Sequence, residues 1–309
     1  MTPELPPEGE APAAEEAAAG GRGTVVRFFL LPLLVVGTAV AVFWIFSRIT
    51  FESRSPAGYL EEVRGGTANR RWQAAFELSR SLPNLDPPER AALAAETLRI
   101  FRSLSPSRAE DVPVRRYLVL VLGKLGEREA VEPLRVAAGD PDADTRLYAV
   151  WALGKIGDAR ALPTVTQASL SEDAAMRKMA AYVLGRLNDR AAVPRLQVLL
   201  GDSVADVRWN AAIALASLRD PAGLSVLRSM IDRGALARQA SLSADQFETA
   251  MVGACKALQL LHDAGSLPLL EKLAREDPNL RVRAAAREAA AAIRAGSSNL
   301  ERGRTILVV

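Results

Sequence analysis

The chain has 309 residues, and its 39 basic and 36 acidic side chains leave a net charge of +3, too small for the dense basic face of a nucleic-acid-binding protein. A single cysteine, Cys255, excludes a disulfide framework within the chain. Aromatic residues make up only 5% of the chain while alanine and leucine dominate, which predicts an all-α fold.

The N-terminal segment, residues 1–27, is acidic and rich in proline and alanine. It contains few side chains large enough to form a core, and such segments do not recover the entropy lost on folding. We therefore expect residues 1–27 to be a disordered tail.

An apolar run without a charged residue follows, from Phe28 to Phe46, flanked by Arg27 and Arg48. Because about 20 apolar residues cross a bilayer as a helix, the run predicts a single transmembrane helix over 28–47, followed by a linker over 48–57. The alternative, a cleaved signal peptide, is less favoured because the run is long and no small-residue cleavage site follows it. The small excess of arginine after the run predicts a single-pass membrane protein whose C-terminal domain is cytoplasmic.

From residue 58 onward the sequence repeats itself with a step of 31 residues. The step appears in an arginine column at Arg115, Arg146, Arg177 and Arg208, and in a leucine column at Leu122, Leu153, Leu184 and Leu215. Helical amphipathicity alone repeats every 3.6 residues or so and would not select this step. Each unit contains two short helices, and the second ends at turn residues such as Gly126, Gly157 and Asn188. Short helix pairs bury their apolar faces only by stacking, so we predict an α-solenoid over 58–296.

The strings VRRYLVLVLGKLGEREAVEPL and TRLYAVWALGKIGDARALPTV resemble the HEAT-repeat superfamily, in particular its short repeats of the phycobilisome-lyase type. The resemblance covers about residues 58–295 and is strongest over 112–233. It implies stacked antiparallel helix pairs whose second helices line a concave side. It is specific for the fold and says little about function, because one fold serves many unrelated tasks.

Two insertions interrupt the repeat, one around 84–107 and one near 234–247. Insertions in solenoids form loops or longer helices at one edge, often a binding edge, although a length difference without a role is equally compatible with the sequence.

The last segment, 297–309, follows a predicted helix stop at Gly296 and ends in apolar residues. We expect it to fold back over the last repeat or to add to a partner as a strand.

The arginine column has acidic neighbours. Asp140 and Asp202 precede Arg146 and Arg208 by six residues, a position from which a carboxylate can pair with the arginine or cap the helix. We interpret the column as an internal ladder that ties neighbouring units together.

A stripe on the second helices is the main candidate for function. If positions 114, 118, 121, 122 and 125 are buried, positions 116, 120 and 124 lie on the opposite side of the helix. Carried through the repeats, the stripe has aromatic residues edged by lysine and arginine, and exposed apolar surface of this kind marks binding sites. The predicted partner-binding residues are Trp72, Phe76, Arg116, Lys124, Trp151, Lys155, Lys178, Tyr182, Arg186, Trp209 and Lys256.

This stripe predicts a membrane-anchored scaffold that binds a protein or peptide, acidic or amphipathic, on its concave face. The alternative, that the face assignment is shifted by one residue and the aromatic side chains are core, remains open. No catalytic residue, metal site or cofactor is predicted: the single histidine, His262, cannot supply the histidine–glutamate pairs of HEAT-type metal hydroxylases, and Cys255 aligns with small buried positions. An accessory or maturation factor that acts, like a bilin lyase, on a bound protein is the alternative function. A nucleic-acid-binding array is a third and less favoured one.

Overall fold

The computed structural model describes residues 31–50, 55–239 and 243–306. The chain divides into two compact units, the first ending at Ser55 and the second beginning at Pro56. The predicted disordered tail and residues 51–54 of the predicted linker lie outside the described residues.

The first unit contains helix α1, Leu31–Thr50. Among the described helices, none is both long and apolar enough to span a membrane. The prediction of a transmembrane helix over 28–47 is therefore wrong, and so are the membrane anchor through Phe28–Phe46 and the single-pass localisation that rested on it.

The second unit is built from helices, and the described residues contain no strand. Helices α2 and α3 form the first pair, α4 and α5 the second, and the pairs continue along the chain. The helices are α2 (Pro56–Gly65), α3 (Ala68–Ser81), α4 (Pro87–Ser103), α5 (Val112–Leu125), α6 (Val131–Ala137), α7 (Ala143–Ile156), α8 (Leu162–Ala168), α9 (Ala174–Arg186), α10 (Val193–Leu199), α11 (Ala205–Ser217), α12 (Leu224–Ile231), α13 (Arg233–Gln239), α14 (Ala244–Leu260), α15 (Leu267–Glu276) and α16 (Leu280–Ile306).

The second helices of the pairs form one continuous layer. In chain order they are α3, α5, α7, α9, α11, α14 and α16, and each packs directly against the next. The first helices pack mainly against these second helices rather than against one another. The predicted all-α solenoid is therefore confirmed.

Glycines allow this close packing. A Cβ atom at Gly154 would lie 2.6 Å from Cγ2 of Val183 on the next second helix, and one at Gly185 would lie 2.6 Å from the Cβ of Ala214. Gly123 meets Ala152 in the same way. These three glycines are 31 residues apart in the sequence, and each lies where one second helix touches the next.

The turns after the second helices adopt the left-handed conformation that the sequence predicted. Gly126 has φ 76°, Gly157 has φ 73° and Asn188 has φ 52°. Arg219 and His262 occupy the same kind of position with φ 59° and 50°. His262 is therefore a turn residue.

Both insertions contain extra helix. Helix α4 has 17 residues where α6, α8 and α10 have 7, so the insertion around 84–107 forms a longer helix rather than a loop. The second insertion contains α13 and the early start of α14, with residues 240–242 outside the described ranges. The last helix continues through Gly296 to Ile306, so the predicted stop at Gly296 is wrong. The division between the solenoid and a tail at 297–309 stays a prediction.

Two members of the arginine column, Arg115 and Arg177, form the expected ladder contacts, and each carboxylate comes from the following unit. Arg115 donates from Nε and Nη2 to Asp140 Oδ2, at 3.2 and 2.7 Å, and Arg177 donates to both carboxylate oxygens of Asp202 at 2.7 and 3.0 Å. Each partner lies 25 residues after its arginine. The Arg115–Asp140 pair is almost fully buried, so its guanidinium and carboxylate satisfy each other in a place that water does not reach.

Candidate partner-binding face

The predicted residues all lie on second helices, and we call the surface that their accessible side chains form the second-helix face. Four of its predicted residues are half-buried and six are exposed. The half-buried ones are Trp72, Phe76, Arg116 and Trp151, and the exposed ones are Lys124, Lys155, Lys178, Tyr182, Arg186 and Lys256. These side chains are accessible to a partner, and their role in binding stays a prediction.

Trp209 does not belong to this surface. It is 4% exposed and lies in the core of the C-terminal repeats with Ala205 and Ala212. Helix α11 is rich in alanine, so the indole fills volume that small side chains leave empty. Its Nε1 atom is buried without a hydrogen-bond partner among the described residues. The prediction that Trp209 faces a partner is therefore wrong.

Aromatic side chains at the N-terminal end of the face are held by their neighbours. The rings of Phe76 and Tyr117 meet edge to face, with centroids 5.1 Å apart and planes at 65°. The guanidinium carbon of Arg80 lies 5.3 Å from the centre of the Phe76 ring, and Lys155 Nζ lies 5.8 Å from that of Trp151. Cations at these distances are attracted to the ring faces, and this attraction restricts the movement of the rings.

Two of the predicted basic residues are paired with acids of the next unit. Arg116 donates to both carboxylate oxygens of Asp142, at 3.2 and 2.8 Å, and also lies 3.2 Å from Asp144. Lys178 Nζ lies 2.8 Å from Asp206 Oδ2. Burial of the Asp142 carboxylate opposes its ionisation, but hydrogen bonds from Arg116 and Thr145 outweigh this and lower the pKa of Asp142 to about 2. The face is therefore closer to electrical balance than the sequence indicated.

Two further basic residues hold the helix layer together. Lys124 donates to the carbonyl of Ser79 near the end of α3, and Arg186 Nε donates to the Gly154 carbonyl in the last turn of α7 at 3.1 Å. Carbonyls at the C-terminal end of a helix are free to accept and carry its negative dipole end, so cations stabilise them. Lys124 and Arg186 thus have a structural role in the layer in addition to any contact with a partner.

A pocket of about 480 Å³ opens on the second-helix face between α9 and α11. Leu147, Met179 and Tyr182 form its apolar part, and Lys178, Asp206 and Asn210 its polar part. The volume lies in the range of ligand pockets, and Tyr182 is 42% exposed there.

Sequence reasoning missed Met179 and Asn210 because it followed positions four residues apart along one stripe. Both belong to a neighbouring column with the same 31-residue step, which runs through Tyr117, Tyr148, Met179 and Asn210. Examining this second column would have found them.

Among the described residues, the single thiol and the possible metal ligands are not arranged for catalysis or metal binding. Cys255 is fully buried, and this burial, with a smaller contribution from Asp277, raises the pKa of its thiol to about 12. Within the described ranges, histidine, cysteine and acidic residues form no cluster that could hold a metal ion. The expectation that the chain is not an enzyme stays a prediction.

Comparison with known proteins agrees with this architecture. Residues 104–181 and 165–246 match the family model for HEAT repeats. The fold is similar to that in the CpcE–CpcF complex of phycocyanin lyase from Nostoc, with a TM-score of 0.52 and 18% identity over 78% of this chain and 95% of that one. It is also similar to YibA of E. coli, with a TM-score of 0.51 and 16% identity over 92% of this chain and 99% of that one. No curated protein matches the sequence.

Proposed function

We propose that this HEAT-repeat solenoid is a binding module that holds a protein or peptide partner on its second-helix face. The observation that carries the proposal is the pocket between α9 and α11, where Leu147, Met179 and Tyr182 leave apolar surface accessible beside the Lys178–Asp206 ion pair. Accessible aromatic and aliphatic groups with a few polar neighbours are typical of the anchoring points of interfaces.

The charges of the face favour an amphipathic segment over a strongly acidic one. Arg116 and Lys178 already have carboxylate partners, so an acidic segment would have to compete with Asp142 and Asp206 for them. An amphipathic segment instead places an apolar side chain in the pocket and polar groups against the ion pair. Shape and apolar contact then provide most of the affinity, and the paired charges provide orientation.

The comparisons support protein binding in general terms. In one of the similar structures, CpcE forms a complex with CpcF of phycocyanin lyase. The same similarity supports a second candidate function, an accessory subunit of a lyase-like enzyme. The two candidates differ in whether they bind a small molecule. A lyase accessory would carry or transfer one, whereas a binding module would not. An absorbance spectrum and native mass spectrum of the purified complex separate them.

A pull-down with matched variants tests the proposal. Tyr182→Glu puts a charge into the pocket, and Val136→Glu puts the same charge on α6, where Val136 is 77% exposed. We expect a specific partner to be retained by the wild type and by Val136→Glu and to be lost by Tyr182→Glu, with circular dichroism showing all three folded. Retention of the same partner by folded Tyr182→Glu would show that it binds elsewhere.

A further inference from the structure

The arginine ladder has a regular geometry that is clearest at Arg177. Its Nη1 atom donates to the carbonyls of Ser171 and Glu172, six and five residues earlier, at 3.0 and 2.8 Å. Its Nε and Nη2 atoms form a fork that grips the two oxygens of Asp202 at 2.7 and 3.0 Å. Backbone contacts therefore orient the guanidinium, and a carboxylate fills its open edge.

Arg146 has the same orienting contacts but not the carboxylate. Its Nη1 atom donates to the carbonyls of Asp140 and Pro141, again six and five residues earlier, at 2.8 and 2.9 Å. The residue 25 positions later, where Arg177 finds Asp202, is Ser171. In the part of the chain that the structure describes, Nε and Nη2 of Arg146 make no hydrogen bond. Arg208 is open in the same way, because its Nη1 atom donates to the carbonyls of Asp202 and Ser203 at 2.8 and 3.0 Å and no carboxylate pairs with it among the described residues.

Among the described residues, the side chain of Ser171 makes one of the two kinds of contact that a ladder aspartate makes: it accepts a backbone hydrogen bond but does not bind Arg146. The ladder aspartate Asp202 accepts a hydrogen bond at Oδ1 from the Val204 amide, two residues later, at 2.9 Å. Ser171 accepts the equivalent bond at Oγ from the Asp173 amide at 3.2 Å. A serine has only one side-chain oxygen. The turn is therefore preserved while the oxygens that would face Arg146 are missing.

An open surface pocket lies beside Arg146 and Ser171. It has a volume of about 510 Å³, and Arg146 and Ser171 line it together with Thr164, Gln167 and Met176. The other arginine at its wall, Arg135, is already paired with Glu132 at 2.8 Å. One open guanidinium fork beside hydroxyl and amide groups fits a single carboxylate better than a phosphate dianion, which would require more positive charge.

We propose that this gap in the ladder is a binding site for a carboxylate ligand, which completes at Arg146 the contacts that Asp202 makes to Arg177. The site is independent of the second-helix face, because its lining shares no residue with the pocket between α9 and α11. The carboxylate comes either from an acidic side chain of a protein or from a small organic acid, and both present the same two oxygens to the fork.

Two substitutions of one residue test the site in the full chain. Ser171→Asp supplies the missing carboxylate from within the protein, as at Asp140 and Asp202, and Ser171→Asn has the same shape without the charge. The probes are acetate and the blocked peptide acetyl-Ala-Ala-Glu-Ala-Ala-amide, with the glutamine version of the peptide as control, all at constant ionic strength. The readout is the side-chain Nε–H resonance of Arg146 in nitrogen-15 NMR, assigned by its loss in Arg146→Lys.

We expect at least one carboxylate probe to shift this resonance saturably in the wild type and in Ser171→Asn, and the glutamine peptide to leave it unchanged. In Ser171→Asp the same probe should bind at least about tenfold more weakly, because the introduced carboxylate competes for the fork. A response to the glutamate peptide alone identifies a protein side chain as the source, and an equal response to acetate identifies a small organic acid. Equal binding to Ser171→Asp and Ser171→Asn, or no saturable shift with either probe, would overturn the proposal.

Discussion

Acidic side chains that link neighbouring units make the fold sensitive to acid. The pKa of Asp142 is about 2 in the folded protein, and the hydrogen bond from Arg177 lowers the pKa of Asp202. In the unfolded chain an aspartate has a pKa of about 3.9, so the unfolded state takes up protons first as the pH falls. The stability that these groups contribute is present above about pH 4 and is lost as the pH approaches about 2.

Urea unfolding between pH 6 and 2 tests this at Asp142. We expect the free energy of unfolding to fall with pH below about pH 4 in the wild type, and to fall less steeply in Asp142→Asn, which has no proton to bind. Asp245→Asn, at a side chain that is 84% exposed, should keep the wild-type slope. If the free energy of unfolding has the same pH dependence in the wild type and in Asp142→Asn, Asp142 does not contribute to the acid sensitivity.

The buried thiol gives a second prediction for a single residue. Because Cys255 is fully buried and its pKa is raised to about 12, almost no thiolate is present at neutral pH and reagents cannot reach it. We expect a disulfide reagent such as Ellman's to leave the folded protein unlabelled and to label one thiol per chain in urea. Rapid labelling of the folded chain would show that Cys255 is accessible.

Individual side chains were predicted well where the repeat constrains them and poorly where packing decides. Lys178 and Tyr182 are exposed as expected, because their positions on the helix follow from the leucines that must be buried. Trp209 has the same position in the repeat as Lys178, yet it is buried. It fills volume that neighbouring alanines leave empty, and this volume becomes known only when the helices are packed. The missing acid opposite Arg146 became apparent only when the structure showed that the carboxylates come from 25 residues later.

Contact between successive second helices depends on glycine at one position. A Cβ atom at Gly185 would lie 2.6 Å from the Cβ and 2.8 Å from the Cα of Ala214, so backbone has to move to accommodate it. We expect Gly185→Ala to lower the free energy of unfolding by about 1–3 kcal/mol, the usual cost of overpacking. Chemical denaturation measures this.

Gly201→Ala is the matched control for that variant, because its Cβ would meet nothing closer than the Val198 carbonyl at 3.5 Å. It should leave stability close to that of the wild type. Equal stability of Gly185→Ala and Gly201→Ala would show that the helices are not in tight contact at Gly185.

Helices were predictable from the sequence to the extent that several columns repeat in register. The pairs from α5 to α11 follow the 31-residue step, and the turn residues Gly126, Gly157 and Asn188 end their helices where expected. The ends of the chain lack this support. A glycine alone did not stop α16 at Gly296. An apolar run alone did not establish a membrane helix, since none of the described helices is long and apolar enough to span a membrane.

At the scale of the whole molecule, the repeat produces a layer of second helices with one accessible face. The ladder and the glycine contacts fix the spacing of the units, so the side chains on this face keep a regular arrangement without a partner. A surface that is organised in advance loses little conformational entropy on binding. This is the physical basis for assigning a binding role to the array rather than to one of its loops.

Site-specific photo-cross-linking in cells tests the binding role most directly. A benzoylphenylalanine in place of Tyr182 reports on the second-helix face, and the same residue in place of Val198, which is 64% exposed on α10, reports on the first helices. We predict that position 182 forms a discrete cross-link to one partner and that position 198 does not. Cross-links of equal strength at both positions, or a partner captured at 198 alone, would contradict a binding site on the second-helix face.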